Sequence, residues 1–314
     1  MQIIKNISIW IVQIVLALLL ISFITFLLTN ISADDPIVMK FQHLGASLDA
    51  ELLKSLRTEA GLDKPFFERY MNWLLAVLEG DLGTSIFYGL PVWSLMVDAL
   101  PKTLALVFMS LGMATIIALP LSILSATHRN SLVDILVRIF SLVSISLPSF
   151  WVGLILLYIF ALQLQLVTVT NTSGIAGLVL PALTLAIWIA GLYIRRLRAA
   201  LLEELGKDYV IGAKALGLSK RTIIYSYVLP NVGITILPML GITIGSLLGG
   251  ATIIETIFGW QGIGYLMVQG ITTRDYPLMQ GYILWAASMY LFLNTFMELL
   301  VNYLMPQRHM KAGV

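Results

Sequence analysis

Six long apolar runs leave this 314-residue chain few folds to choose from; they lie at about 8–29, 103–126, 136–162, 175–194, 232–254 and 278–304. The first, Ser8 to Thr29, holds about 22 residues, roughly 33 Å of helix at 1.5 Å per residue, enough to cross a bilayer core. In lipid every backbone N–H and C=O must be satisfied within the segment, which a helix does by itself. Composition agrees: 59% of residues are hydrophobic and 11% charged, against about 25% charged in a soluble domain. The chain reads as an all-α polytopic membrane protein with six transmembrane helices.

The first run has a competing reading as a cleaved signal peptide. Such a peptide has an apolar region of about 7–15 residues followed by a small-residue cleavage site. The run here is longer and no A-x-A follows it, so an uncleaved helix is expected. Only Lys5 precedes it, which places the N-terminus in the cytoplasm. Alternation then puts 127–135, 195–231 and 305–314 inside, and these segments carry most of the 19 Lys and Arg residues, as the positive-inside bias requires. The longest polar break in the second half, Arg195 to Pro230, holds Arg195, Arg196, Arg198, Lys207, Lys214, Lys220 and Arg221. These bases read first as charge for the inner leaflet.

Residues 31–100 have the composition of a small folded insert on the outer side. Ser47 is placed to cap a helix bearing Leu48, Leu52, Leu53 and Leu56, with Gly61 to end it. Asp63 and Pro65 start a second helix, with Phe66, Tyr70, Trp73, Leu74 and Val77 as its apolar stripe and Gly80 at its close. The aromatic residues read as a small core or as packing on the membrane surface rather than as a ligand pocket. The expected divisions are a first transmembrane helix at 1–30, this insert, a core of five spans at 101–305 and a tail at 306–314.

Within the spans, Pro148 falls in mid-run and is expected to bend its helix by removing a backbone bond, in the service of rocking or of packing. Pro120 and Pro181 lie nearer the ends of their runs. Gly241, Gly245 and Gly249 repeat every fourth position, a stripe that lets another helix backbone come close, with pathway lining as the second reading. Glu255 ends the fifth run and Glu298 lies in the last. No ladder of intramembrane acids or histidines marks a proton- or sodium-coupled carrier. There is no cysteine, and His43, His128 and His309 lie far apart in the sequence; no metal site is expected. There is no G-x-x-x-x-G-K-[ST] loop either, so energy for transport has to come from another chain.

At this point the residues resemble the integral membrane permeases of bacterial ABC importers, in particular the first permease of the dipeptide/oligopeptide/nickel group. The inner-loop signature of importer permeases is E-A-A-x-x-x-G, nine further residues, then I-x-L-P. Here Ala213, Gly217, Leu229 and Pro230 match at that spacing. Asp208-Tyr209-Val210 and Ala213-Lys214-Ala215-Leu216-Gly217-Leu218 resemble the variant of the peptide and nickel group. G-L-D-K-P at 61–65, G-D-L-G at 80–83, Leu100-Pro101, Gly262-x-Gly264 and Arg274-Asp275-Tyr276-Pro277 resemble its other segments in order. Gln261 stands where the group usually has Pro, Glu298 where it has Asp, and Met305-Pro306-Gln307-Arg308 replaces a D-P-R ending.

The resemblance implies a type I ABC importer permease-like fold in the bacterial cell membrane, with both termini cytoplasmic. It implies a second homologous permease as heterodimer partner, two ATP-binding subunits that hold ATP and Mg, and an extracytoplasmic substrate-binding protein. This chain then binds no cofactor and no nucleic acid, has no ATPase site of its own, and meets lipid directly. The substrate is a peptide, nickel or a metal chelate. Asp208, Tyr209, Ala213, Lys214, Gly217, Leu229 and Pro230 become the ATPase-coupling loop. Gly217 permits a turn after a short docking helix, Ala213 keeps the docking face small, and Leu229-Pro230 redirects the chain into the fifth span. Glu255, Arg274 and Asp275 become candidates for an outer gate or binding-protein contact. An ion-coupled carrier or channel is the alternative, and a membrane-embedded enzyme is disfavoured because the spans hold no paired carboxylates or Ser/Lys pair.

Overall fold

The computed structural model describes residues 2–31, 35–43, 49–166 and 174–304. Among them the chain is helical apart from turns and one isolated antiparallel bridge between Thr84 and Pro91. The helices are α1 (Gln2–Ile31), α2 (Pro36–His43), α3 (Ala50–Glu59), α4 (Phe66–Leu78), α5 (Val92–Thr127), α6 (Leu132–Ser146) and α7 (Ser149–Leu157). They continue as α8 (Gly174–Leu205), α9 (Asp208–Ala215), α10 (Lys220–Thr222), α11 (Leu229–Gly250), α12 (Thr252–Ile257), α13 (Ile263–Thr272) and α14 (Tyr276–Leu304). Wider π-helical turns extend α7 over Tyr158–Gln163 and join α10 to α11 over Ile223–Val228.

Three helices are long and apolar enough to cross a bilayer, Val12–Ile31, Val92–Thr127 and Gly174–Leu205, and two bent pairs bring the number to as many as five among the described residues. The last apolar run forms α14, whose 29 residues give roughly 43 Å of helix, also long enough to cross. The run at 136–162 is bent far more sharply than a proline kink requires. At Pro148 the chain breaks, and α6 and α7 meet at 100°. Leu147, the residue before proline, takes an extended conformation with ψ 134°, because the proline ring clashes with a helical neighbour on its N-terminal side. Pro148 then serves as the first cap of α7.

The described helices fall into two compact units. The first comprises residues 1–103 with 261–291. The hydroxyl of Tyr70 on α4 meets Ser22 of α1 at 3.0 Å. Gln280 of α14 donates to Thr29 of α1 at 2.9 Å, and the Ile263 N–H at the start of α13 donates to Thr103 at 2.8 Å. Val92 and Met96 pack with Leu278, and Ala99 with Ile263 and Tyr282, so the insert shares its packing with α1, α13 and the first half of α14. Gly61 and Gly80 end α3 and α4 as expected. Asp49 rather than Ser47 precedes α3; Ser47 lies outside the described residues.

The second unit comprises 104–260 with 292–314, and α8 is its spine. One face of α8 after another is buried, from Leu178 and Ala182 through Ala186, Ile189 and Ala190 to Leu197 and Leu201. It packs on α6, α7, α11 and α12. Small residues allow this: a Cβ on Gly191 would lie 2.8 Å from the Ser144 side chain, and Ser141 instead donates to the Gly191 carbonyl at 2.7 Å. Close backbone approach with a hydroxyl bridge is how membrane helices associate when hydrophobicity cannot drive them together. Gly241 packs in the same way, since a Cβ there would overlap Met297 of α14. Gly245 is buried, and the surroundings of Gly249 lie outside the described residues.

At one end of this unit three helices meet on a buried carboxylate. Asp134, fully buried at the start of α6, takes Arg198 Nε on one oxygen at 2.7 Å and Arg198 Nη2 on the other at 2.8 Å. Ser125 of α5 donates to it at 2.5 Å and the Asn130 N–H at 3.0 Å. Arg198 is thus an internal strut, unlike Arg195 and Arg196, which are exposed. Removing one member of a buried, hydrogen-bonded ion pair costs about 3–5 kcal/mol because the other charge stays behind. Arg198→Met is expected to lower the thermal midpoint of the solubilised protein, and Arg198→Met with Asp134→Leu to recover most of the loss. Equal midpoints for the wild type and the single variant would refute the strut.

Candidate functional site

The loop expected at 195–231 is shorter in the structure: α8 runs on to Leu205 and the next helical run starts at Lys220, and between them α9 is a short helix with one face buried and one face exposed. Lys207 is the extended cap residue, Asp208 puts an acid in the first turn and Lys214 a base in the last, both favourable to the helix dipole. Val210 is fully buried and Ala213 nearly so; both pack into the core of the second unit. This corrects the expectation for Ala213: it faces the body of the protein, and its small size lets α9 sit close to its own chain. The opposite face carries Asp208, Ile211, Gly212, Ala215 and Leu216, all exposed. At spacings of three and four they form one stripe, and Leu216 is 83% exposed.

The stop signal is a backbone motif. Gly217 has φ +78°; its N–H bonds the Lys214 carbonyl at 3.0 Å and the next N–H, of Leu218, reaches back to Ala213 at 3.2 Å. This is a Schellman closure, which needs a left-handed residue at that position. Nothing crowds the site of a Cβ on Gly217, so glycine is required there for conformation and not for space. The same closure ends α13, with Arg274 in the left-handed position at φ +55°.

A polar tether holds α9 between its neighbours. The Tyr209 hydroxyl donates to Glu204 at the end of α8 at 2.7 Å, and Asn231 at the start of α11 donates to Tyr209 at 3.3 Å. Lys207 pairs with the other oxygen of Glu204 at 2.5 Å. Burial and then the Glu204 carboxylate push the Tyr209 hydroxyl above its ordinary value, so it remains a donor at neutral pH. Glu204 and Asn231 carried no signal in the sequence; only the fold brings them to Tyr209. Leu229-Pro230 does not turn the chain. Backbone angles stay helical from Thr222 through Leu229, so the fifth helical run begins at Lys220. The π-helical turn before Pro230 widens the ladder where the proline supplies no N–H.

The outer candidates are placed differently from one another. Glu255 is fully buried in α12. Asp275 is also fully buried; it accepts from the Ser85 hydroxyl, from the Ile86 N–H at 3.2 Å and the Phe87 N–H at 3.1 Å, and from the Leu278 N–H at 3.3 Å. It clamps the 85–87 turn and caps α14, so its carboxylate is not presented to a partner in this structure. Arg274 beside it is half-buried. No group of three or more His, Asp or Glu is placed to hold a metal among the described residues.

Comparison with known proteins identifies the family. Residues 118–309 match the model of a family described as binding-protein-dependent transport system inner membrane component, and residues 3–107 match the model of its N-terminal region. The nickel import system permease protein NikB of Staphylococcus aureus strain MRSA252 is 33% identical, over 100% of this chain and 94% of that protein. The probable D,D-dipeptide transport system permease protein DdpB of Escherichia coli K12 is 33% identical, over 90% and 91%. The metal-staphylopine import system permease protein CntB of S. aureus strain NCTC 8325 is 30% identical, over 92% and 93%. A chain of the inward-facing MetNI methionine ABC transporter superimposes with a TM-score of 0.52 at 18% identity, over 68% of this chain and 96% of that chain. That is a likeness of fold.

Two substitutions separate backbone from side-chain roles. Gly217→Val forces a β-branched residue into the left-handed region, at a cost of about 1–2 kcal/mol, and is expected to fray α9, read as faster proteolysis between 208 and 221 in the assembled membrane. Arg274→Gly removes the side chain and leaves a residue that takes the left-handed conformation without strain. If uptake then falls, the Arg274 side chain acts in transport; unchanged uptake removes it from the outer gate.

Proposed function

Because the chain belongs to the family of binding-protein-dependent transport system inner membrane components, we infer that α9 is the helix through which it is driven, as the permease subunit of an ATP-powered importer. The carrying observation is the exposed stripe of Ile211, Gly212, Ala215 and Leu216 on a helix whose other face is fixed to its own protein. An apolar face of this size at the wet end of a membrane protein is suited to a groove on another chain, in the helix-in-groove mode. The occupant of that role is an ATP-hydrolysing subunit, which holds the nucleotide and Mg; this chain supplies no nucleotide site. The stripe then lies in the cytoplasm, both termini with it, and the 31–100 insert faces the binding protein outside. A second, homologous permease completes the pathway.

The tether explains how a push on α9 moves the spans. Displacing α9 drags Glu204 and Asn231 through Tyr209, and so acts at once on α8 and α11. Higher up these two helices are linked again, Tyr193 donating to Thr243 at 3.0 Å. They move as a pair, and α6 follows α8 through Ser141–Gly191 and Asp134–Arg198. The break at Pro148 divides α6 from α7, both of which pack on α8, so the two halves can shift against each other there. ATP and the loaded binding protein shift the balance of inward- and outward-open states only to the extent that each prefers one of them. The relatives are named for nickel, D,D-dipeptide and metal-staphylopine import, so the substrate proposed here is a short peptide or a metal chelate. The chain contains no cysteine, and a metal is expected to pass already complexed.

Leu216→Glu puts a charge on the stripe without touching the inner face. It is expected to abolish co-purification of the ATPase subunits and lower uptake by more than ~10-fold, while the chain still reaches the membrane; a loss of this size corresponds to about 1.4 kcal/mol or more of docking energy. Tyr209→Phe is expected to leave ATP hydrolysis in place and reduce substrate moved per ATP. Undiminished uptake in the Leu216 variant, or uptake that survives without the ATPase and collapses with the proton gradient, would overturn docking in favour of an ion-coupled carrier.

A further inference from the structure

Helix α4 has three faces, and one meets no partner among the described residues. Its 13 residues make roughly 20 Å of helix, too short to cross a bilayer. The first face is aromatic. Phe66 and Tyr70 sit on Phe23 at 6.0 and 5.4 Å between ring centroids, and Phe66, Tyr70 and Trp73 sit around Phe26 at 5.4, 5.4 and 5.8 Å. The second face carries Phe67, Met71, Leu75 and Leu78, exposed by 70, 55, 60 and 76%. They repeat at i, i+4, i+8 and i+11 and include no charge. The third face lies roughly 135° further round the helix at 100° per residue. It carries Arg69 and Asn72, which line an open cavity of about 510 Å³.

The contact with α1 sets the depth. Phe23 and Phe26 lie three to six residues before Thr29, where the apolar run of α1 ends; that is roughly 4–9 Å below the end of the run at 1.5 Å per residue. Helices that lie in a membrane interface bury their apolar face to about 5–10 Å. At the same level α1 exposes apolar side chains of its own, Ile24, Leu27 and Leu28. The polar face is turned the other way. Arg69 stands 6.0 Å from the Phe26 ring, and burial lowers its affinity for a proton, yet it borders the water-accessible cavity rather than the stripe.

We propose that α4 is an interfacial helix, seated with Phe67, Met71, Leu75 and Leu78 among the phospholipid acyl chains of the leaflet where the C-terminal end of α1 emerges, and with Arg69 and Asn72 facing water. The occupant of the stripe is lipid. The insert is thereby fixed at a set depth, and its aromatic face braces α1 while the rest of the transporter moves. This assignment is independent of the docking role of α9.

The chain contains no cysteine, so single substitutions Met71→Cys, Leu75→Cys and Asn72→Cys each accept one nitroxide label. The measurement is collision with oxygen and with a water-soluble nickel chelate, on the whole transporter complex in phospholipid vesicles. At 71 and 75 oxygen collisions are expected to exceed those of the chelate several-fold, and at 72 the order reverses. Free access of the chelate at all three positions overturns the proposal. So does protection from both reagents at 71 and 75, which would show a protein partner on the stripe. If a label prevents assembly, Met71→Trp reads the same depth through quenching by acyl-brominated lipid, and quenching no greater than in the wild type overturns it.

Discussion

Inside a hydrocarbon layer a backbone N–H or C=O can bond only to protein, and an unsatisfied group costs several kcal/mol. That constraint turns each apolar run into a helix and decides what happens where a helix cannot continue. At Pro148 the missing donor and the ring's clash with Leu147 end α6 outright, and the chain restarts at 100°. At Pro230 a wider π-helical turn absorbs the same defect and the helix runs on. The same missing donor is met by a break at one proline and by a wider turn at the other.

With hydrophobicity unable to sort one apolar surface from another, the second unit is assembled by close approach and by a few polar links. Gly191 and Gly241 admit neighbouring side chains where a Cβ would collide. Ser141, Tyr193 and Thr243 add hydroxyl bonds between helices. The bidentate Asp134–Arg198 pair fastens α5, α6 and α8 at one end. These links join the same helices that the Tyr209 tether connects to α9, so α9 is coupled to the long helices of this unit by a few named bonds.

Much of α9 was legible. Asp208 to Gly217 was expected as a helix closed by a left-handed glycine, and it is one. Its polarity was not legible. The hydropathy of eight residues does not say which side meets the protein, and Ala213, read as outward, lies against the core while Leu216 is exposed. Arg198 and Asp275 show the same limit. An arginine near a span end reads as leaflet charge and an aspartate in an outer loop reads as accessible, until a partner distant in sequence, Asp134 or Ser85, is brought to it.

The sequence by itself determined the helical class, the extent of the apolar runs, the short helix at 208–215 and the absence of a P-loop, because these follow from local hydropathy, backbone chemistry and residue type. The tertiary structure alone decided which face of α9 is free, that Glu204 and Asn231 hold it, that Asp275 is a buried clamp, and that α4 has an apolar stripe left over after packing on α1. Each of these depends on contacts between residues from about five to nearly two hundred positions apart, and the physical reason is the same throughout: a side chain's role is set by what remains exposed after its neighbours arrive.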